Sequence, residues 1–313
     1  MSQKIVQDIE NLKKEKNAII LGHYYQTADI QDISDFLGDS LALAQAAEKT
    51  NADIIVFAGV HFMAETAKIL SPEKKVIIPD RDAGCSLAES CPPEDFRKFI
   101  NDYPDHTVIS YVNTTAEIKT MTDICCTSSN ALPIVNSLPK DEKIIFGPDQ
   151  NLGNYIQRVS GREMVIYPGA CHVHEEFSVE KIIELKNQYP EAKVIAHPEC
   201  EKPVLLMADH VGSTSSLLKF SKSDNSQTYI VATESGILHQ MKKANPGKKF
   251  IVAPPKDSTC GCNDCSYMKL ITLEKIKNSL EKEQPLVELD KETIKKAKRP
   301  IERMLDISKQ LGL

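Results

Sequence analysis

Three cysteine-bearing stretches recur with one punctuation. "DRDAGC" (80–85), "YPGAC" (167–171) and "PPKDSTCGCNDC" (254–265) each follow a short Val/Ile/Tyr/Phe run that ends in proline. The chain holds nine cysteines. Its start, "MSQKIVQDIENLKKEKNAII", reads as an amphipathic helix and a strand rather than a leader peptide, so a cytoplasmic location is expected, where disulfides are rare. Metal binding or catalysis is then the leading use for so many thiols. The slot after the proline-closed run holds Cys85, Cys171 and one of Cys260, Cys262 or Cys265. Three thiolates with a fourth side open are not a closed structural zinc site, which takes four protein ligands. Iron–sulfur clusters usually take four cysteines. A cubane held by three leaves one iron free as a Lewis acid.

The remaining cysteines lack this register. Cys125 and Cys126 read as packing residues, since free cysteine behaves as a small buried hydrophobe. Cys91 has no counterpart elsewhere in the chain, and Cys200 in "HPEC" falls at a first-strand position outside the cluster slot. "CGCNDC" alone could act as a zinc hook or exchange a disulfide, but no second cysteine pair follows residue 265 to complete a zinc ribbon.

A second periodicity involves donors. Ser40, Ser128 and Thr214 each lie 17 residues beyond His23, Tyr111 and His197 respectively. The segments His23-Tyr24-Tyr25, Tyr111-Val112-Asn113 and His197-Pro198-Glu199 end apolar runs, and the three hydroxyls are expected at helix N-caps, where side chain and backbone N–H together receive anions. A cleft built from these groups suits a small, highly anionic substrate. His174, three residues past Cys171, is expected at its border. His61, His106, His172, His210 and His239 read as surface or core histidines, with His61 close enough to a strand end to approach the cleft.

The elements that must position these groups repeat too. "NAIILGHYY", "HTVISYVNTT" and "AKVIAHPEC" are first strands. Residues 52–79, 142–168 and 227–254 each read strand, helix, connector, strand and proline. Continuous apolar strands alternating with helices indicate parallel, doubly covered sheets, whose ligand sites lie beyond the strand carboxyl ends. The predicted fold is therefore α/β: three similar three-layer αβα domains with parallel sheets about a pseudo-threefold axis, with the active site at the centre. The expected units are 1–86, 87–173 and 174–265. Helices over 266–313 are expected to cover the outside of the third and first units and to carry no chemistry. A net charge of −6 leaves no footprint for nucleic acid, and the basic run "KKAKRP" reads as a solvated helix face. No apolar run approaches the ~20 residues of a membrane span.

Taken together, "LGHYYQTADIQDISDFLGDSLALAQAA", "YVNTTAEIK", "CCTSSN", "GACHVHEEF", "HPEC", "GSTS", "ATESGILH" and "CSYMK" resemble, in order over about residues 17–270, the quinolinate synthases, the A-type family of de novo NAD biosynthesis. The resemblance implies three α/β domains and a 4Fe–4S cluster on Cys85, Cys171 and Cys265. The family's C-x-x-C-x-x-C loop is C-x-C-x-x-C here, so Cys262 keeps its place, Cys260 is displaced by one, and no redox role carries over to that pair. The implied reaction joins iminoaspartate (iminosuccinate) and dihydroxyacetone phosphate into quinolinate with loss of phosphate and water. A transient partner, an aspartate oxidase or dehydrogenase, would supply iminoaspartate. Substrate binding is assigned to His23, Ser40, Tyr111, Val112, Asn113, Ser128, His197, Pro198, Glu199 and Thr214, and acid–base work to Tyr25, His197 and Glu199. The rival readings are a 4Fe–4S hydro-lyase acting on a single hydroxy-acid, and a non-enzymatic zinc-hook protein.

Overall fold

The computed structural model of the chain describes residues 2–257 and 264–313. Cys260 and Cys262 lie outside the described residues. Among these, the strands form three four-stranded sheets, every pairing parallel. The first contains β1 (Ala18–His23), β2 (Phe36–Gly38), β3 (Ile54–Ala58) and β4 (Lys75–Ile77). The second contains β5 (Thr107–Tyr111), β6 (Ile124–Cys126), β7 (Ile144–Phe146) and β8 (Val165–Ile166). The third contains β9 (Lys193–Ala196), β10 (His210–Val211), β11 (Thr228–Ala232) and β12 (Lys249–Val252). All three share one order: second, first, third, fourth. The fold is thus three similar αβα units, as the repeat predicts.

Each sheet has one strand more than the apolar runs announce. β2, β6 and β10 are two or three residues long, too short to carry a readable period. A repeated aspartate starts each of them. Asp35, Asp123 and Asp209 accept the N–H of Ile20, Val108 and Val194 at 2.8, 2.9 and 2.8 Å, and their own N–H groups donate to the carbonyls of the same residues. A side chain that pins the first strand in this way also fixes where the edge strand begins.

The first two units share one apolar core, which runs from Ile9 through Ile55, Phe57, Ile109 and Phe146 to Ile301 and Met304. The third unit buries two smaller clusters on either face of its own sheet, one around Phe177 and Ile230, the other around Leu217 and Tyr229. The C-terminal helices correct one expectation. Helix Leu273–Lys282 lies on helix Ser2–Glu15, and helix Lys291–Gln310 packs on Ala116–Lys119, β6, His61–Leu70 and Ala131–Ser137. They therefore buttress the first and second units, not the third and first, because their apolar faces complete the shared core. No described helix is long and apolar enough to cross a membrane.

Candidate active site

The carboxyl ends of strands from all three sheets open onto one cavity. β1 delivers His23, β5 delivers Tyr111, and the turn after β9 delivers His197 and Glu199. Tyr25, Ser40, Asn113, Ser128 and Thr214 complete this wall, and Cys85, Cys171 and Cys265 line the same space. Among the described residues no lysine or arginine lines the cavity. Val112 and Pro198, in the bend after β5 and the turn after β9, are buried but do not line it.

The two histidines are held alike. The N–H of Tyr25 donates to Nδ1 of His23 (3.2 Å), and the N–H of Glu199 donates to Nδ1 of His197 (3.3 Å). Each ring therefore keeps its proton on Nε2, which for His197 lies 3.1 Å from the Ser128 hydroxyl. Burial drives both basicities down, His23 to about 4 and His197 to about 3, so both serve as neutral N–H donors.

Glu199 is the buried charge of the site. Burial opposes its ionisation, but the facing His197 and His174, the His174 hydrogen bond (3.0 Å) and the Tyr111 hydroxyl (2.6 Å) together hold it below the usual carboxylate range. Tyr25 donates or accepts at Thr214 (2.9 Å) and Thr233 (2.7 Å). Burial first, and then the charge of Glu199, pushes the phenols of Tyr25 and Tyr111 well above their ordinary value, so both stay protonated. Among the described residues the buried Oδ1 of Asn113 has no partner. An orphaned polar atom on a cavity wall is a place for a ligand to bind.

The hydroxyls sit one step away from the predicted caps. Asp39 caps helix Ser40–Lys49 through the N–H of Ala42, and Ser213 caps Thr214–Ser223 through the N–H of Ser216, so Ser40 and Thr214 are first-turn residues. Ser128 lies in the turn before helix Ala131–Ser137. In the first and third units the cap duty falls on the preceding residue, and in the second the N-cap position is Asn130, two residues beyond Ser128, so all three hydroxyls are left to the cavity. Ser129 joins the units at this point, bonding Asp39 (2.9 Å) and Ser213 (2.8 Å).

The cysteines repeat a local design. Cys85 and Cys171 cap the short helices Ser86–Glu89 and His172–Glu175, and Cys265 leads into the turn Met268–Leu270. Backbone N–H groups two or three residues on (Leu87 and Ala88, His174, Tyr267 and Met268) point at the three thiols and favour thiolate. Burial outweighs them and pushes Cys85 to about 12, Cys171 well above the ordinary thiol value and Cys265 upward. Neighbouring thiols add to the rise at Cys85 and Cys171. Such a set calls for a cationic centre, which turns mutual repulsion of thiolates into ligation. The ligand-type atoms found within 4.8 Å of one another belong to Cys171, His174 and Glu199, not to the three cysteines. A single tetrahedral zinc, with bonds of about 2.3 Å, would need its sulfurs closer than that. The three-cysteine arrangement therefore fits a larger, polynuclear group better than one ion.

The other thiols pack. Cys125 and Cys126 lie in β6 within the shared core, Cys91 is buried with Phe96 and Tyr167, and Cys200 donates to the Ala232 carbonyl away from the cavity. His174 is a full member of the site, bridging Cys171 Sγ (3.2 Å), Glu199 and Thr233 (3.0 Å). His61 is half exposed at the start of its helix, while its neighbours Val60, Phe62 and Met63 face the cavity. Asp39, Thr127 and Glu234 also line the cavity, and sequence reasoning passed over them. Asp39 and Thr127 stand beside residues that were named, and Glu234 sits inside "ATESGILH", so their positions were visible but their direction was not.

Comparison with known proteins agrees with this geometry. Residues 7–306 match the profile of the family described as Quinolinate synthetase A protein. The chain is similar to the quinolinate synthase of Synechocystis sp. (56 % identity over 308 residues, 98 % of this chain and 96 % of that protein). It is likewise similar to those of Microcystis aeruginosa (58 % over 300 residues, 96 % and 94 %) and Chloroherpeton thalassium (54 % over 305 residues, 97 % and 95 %).

Proposed function

The chain belongs to the quinolinate synthetase A family, and on that premise we propose that it joins iminoaspartate to dihydroxyacetone phosphate, releasing one phosphate and two waters to give quinolinate. The observation that carries this reading is the convergence, on one cavity, of a cysteine from each repeat with neutral donors from all three sheets. Cys85, Cys171 and Cys265 would hold a 4Fe–4S cluster. When bound, that group supplies an open iron as a Lewis acid toward a substrate oxygen.

The remaining work falls to side chains. His23 and His197, with Nε2–H turned outward, donate to substrate carboxylates, and the free amide of Asn113 fixes their orientation. Ser40, Ser128 and Thr214 supply hydroxyls for the phosphate and the second carboxylate. Carbon–carbon bond formation requires the iminoaspartate methylene to lose a proton, a role we assign to ionised Glu199 on the cavity wall. Departing hydroxyl groups need protons, and the protonated phenol of Tyr25, held between Thr214 and Thr233, is the donor. The apolar part of the wall, Val60, Phe62, Met63 and Met268, keeps bulk water from a reactive imine. The proposed compartment is the cytoplasm, with an aspartate oxidase or dehydrogenase as the class of enzyme that supplies iminoaspartate.

An anaerobic iron and sulfide count, paired with an assay for an ultraviolet-absorbing pyridine dicarboxylate, tests the reading. Wild type should hold four irons and form product from the two substrates. Cys85→Ala, Cys171→Ala and Cys265→Ala should lose both properties, while Cys200→Ala keeps the iron. Zinc in place of iron, or turnover of a single hydroxy-acid without dihydroxyacetone phosphate, would overturn it.

A further inference from the structure

Sheet register places the three repeats on a common scale. Leu21 pairs with Phe57, Ile109 with Phe146, and Ile195 with Val231, so the positions three residues beyond the paired third-strand residue are equivalent. Those positions hold Val60, Asp149 and Glu234. The next residue supports the equivalence of the first two. The N–H of His61 donates to the Ala83 carbonyl and that of Gln150 to the Gly169 carbonyl, both at 2.7 Å, and each acceptor stands two residues before a cysteine ligand.

Both acids are fully buried, with 0 % exposure. A buried carboxylate costs free energy unless it is hydrogen-bonded, so its partners reveal its use. Asp149 accepts the N–H of Cys171 on Oδ2 (3.0 Å) and that of Leu152 on Oδ1 (2.8 Å). Glu234 accepts the N–H of Cys265 (3.2 Å) and the Lys269 ammonium (2.7 Å) on Oε1, and the N–H of Gly236 on Oε2 (2.7 Å). Lys269 in turn donates to the Tyr25 carbonyl (2.6 Å). In the first unit the same position is Val60, whose side chain has no acceptor to offer.

We infer that Asp149 and Glu234 are positioning residues that clamp the backbone of Cys171 and Cys265, so that two of the three thiolates are held in place for the cluster by the same device. The inference rests on the cluster reading above. It makes the first unit's Cys85 the ligand without an acidic clamp. Outer partners of this kind orient ligands, and their loss typically weakens metal retention by about 10- to 100-fold.

The substitutions that test the clamp are Asp149→Asn and Glu234→Ala. The amide in Asp149→Asn has one acceptor oxygen where the carboxylate has two, so it must abandon one of the N–H groups now served, and Glu234→Ala removes the acceptor of the Cys265 N–H outright. Asn caps helices as well as Asp does, so the helix Gln150–Ser160 keeps its cap while the Cys171 contact is lost. Asp290→Ala, which removes the cap of the distant helix Lys291–Gln310, is the control for general loosening. The measurement is anaerobic transfer of iron from the loaded protein to a ferrous chelator, followed by absorbance, with melting of the cluster-free forms alongside.

Iron should leave Asp149→Asn and Glu234→Ala about 10- to 100-fold faster than wild type. Failure of a variant to load at an unchanged melting temperature would also support the clamp. Asp290→Ala should melt earlier yet release iron at the wild-type rate. The two acids lie in different units, so if one variant folds poorly the other decides. Wild-type release rates from the folded variants, or equal acceleration in Asp290→Ala, would overturn the clamp and leave the cluster standing. A wild-type protein that takes up no iron and sulfide would overturn the cluster reading and the clamp with it.

Discussion

The first two units and the third are built on one plan but joined differently. Between the first and second, side chains of both sheets and of the C-terminal helix Lys291–Gln310 merge into a single apolar core. The third unit has buried clusters of its own, against which Tyr155 of the second unit and Tyr24 of the first also pack, and it meets the others largely through polar groups. Gln31 donates to the Gly236 carbonyl and accepts from Gln240, Asp32 faces His239 and Lys243, and Ser129 reaches Ser213. The Tyr111–Glu199, His197–Ser128 and Tyr25–Thr214 contacts belong to both the seam and the candidate site. An apolar junction stabilises whether or not a ligand is present, whereas a seam made of donors and acceptors is sensitive to whatever else those groups can bind. Placing the site at the polar seam lets its groups serve both tasks.

That contrast can be broken by choosing one residue from each side. Glu199→Gln, at the seam, should lower kcat by about 10² to 10⁴-fold, the usual range for losing an acid–base group, in steady-state assays of pyridine dicarboxylate formation. Near-wild-type turnover would remove Glu199 from the chemistry. Phe146→Ala in the shared core and Phe177→Ala in the third unit should each cost about 3–5 kcal/mol. Hydrogen exchange read segment by segment distinguishes their reach. Phe146→Ala should expose both of the first two sheets, and Phe177→Ala the third sheet alone. If either variant loosened all three sheets equally, the units would form one cooperative body and the comparison would fail.

Smaller effects sharpen the picture. Ser129→Ala removes the hydroxyl that ties Asp39 to Ser213 and should cost about 1 kcal/mol, with a several-fold rise in KM and little change in kcat. A fall in kcat with unchanged KM would mean the contact serves chemistry instead. The smallest effect concerns pH. The His239 hydrogen bond, with Lys243 beside it, holds the Asp32 carboxyl below its ordinary 3.8. A depressed carboxylate stabilises the folded state fully above its unfolded value and loses that contribution as pH falls through the lower folded one. The melting-temperature difference between wild type and Asp32→Asn should therefore be constant above 3.8 and shrink below it. A difference that grew on acidification would reverse the sign assigned to this pair. Asp32 is largely solvated, so the whole effect is modest.

Much of this architecture could be read from the chain. The 17-residue spacing from His23, Tyr111 and His197 to Ser40, Ser128 and Thr214 marks the strand ends and the hydroxyls that the structure brings onto one cavity. The proline-closed runs likewise mark Cys85 and Cys171, because strand, connector and ligand are local features with local signals. Distance-dependent facts were not legible. Asp39 as the true cap, and the contacts by which His174, expected at the border, bridges Cys171, Glu199 and Thr233, depend on side-chain directions that spacing does not encode. Val112 and Pro198 stay off the cavity because of the bend and turn that follow β5 and β9, whose course spacing does not encode either.

The sequence by itself determined the repeat, the parallel α/β units and the residue types available for an anionic, thiolate-bearing site. A hydrophobic period and a turn act over a few residues, so they are written directly in the chain. The tertiary structure alone decided that the C-terminal helices fuse two units and leave the third to a polar seam. It alone decided that Glu234, next to an ordinary-looking serine and glycine, meets the N–H of Cys265, 31 positions further along the chain. Those contacts depend on which surfaces lose water together, a property of the packed whole that no local pattern carries.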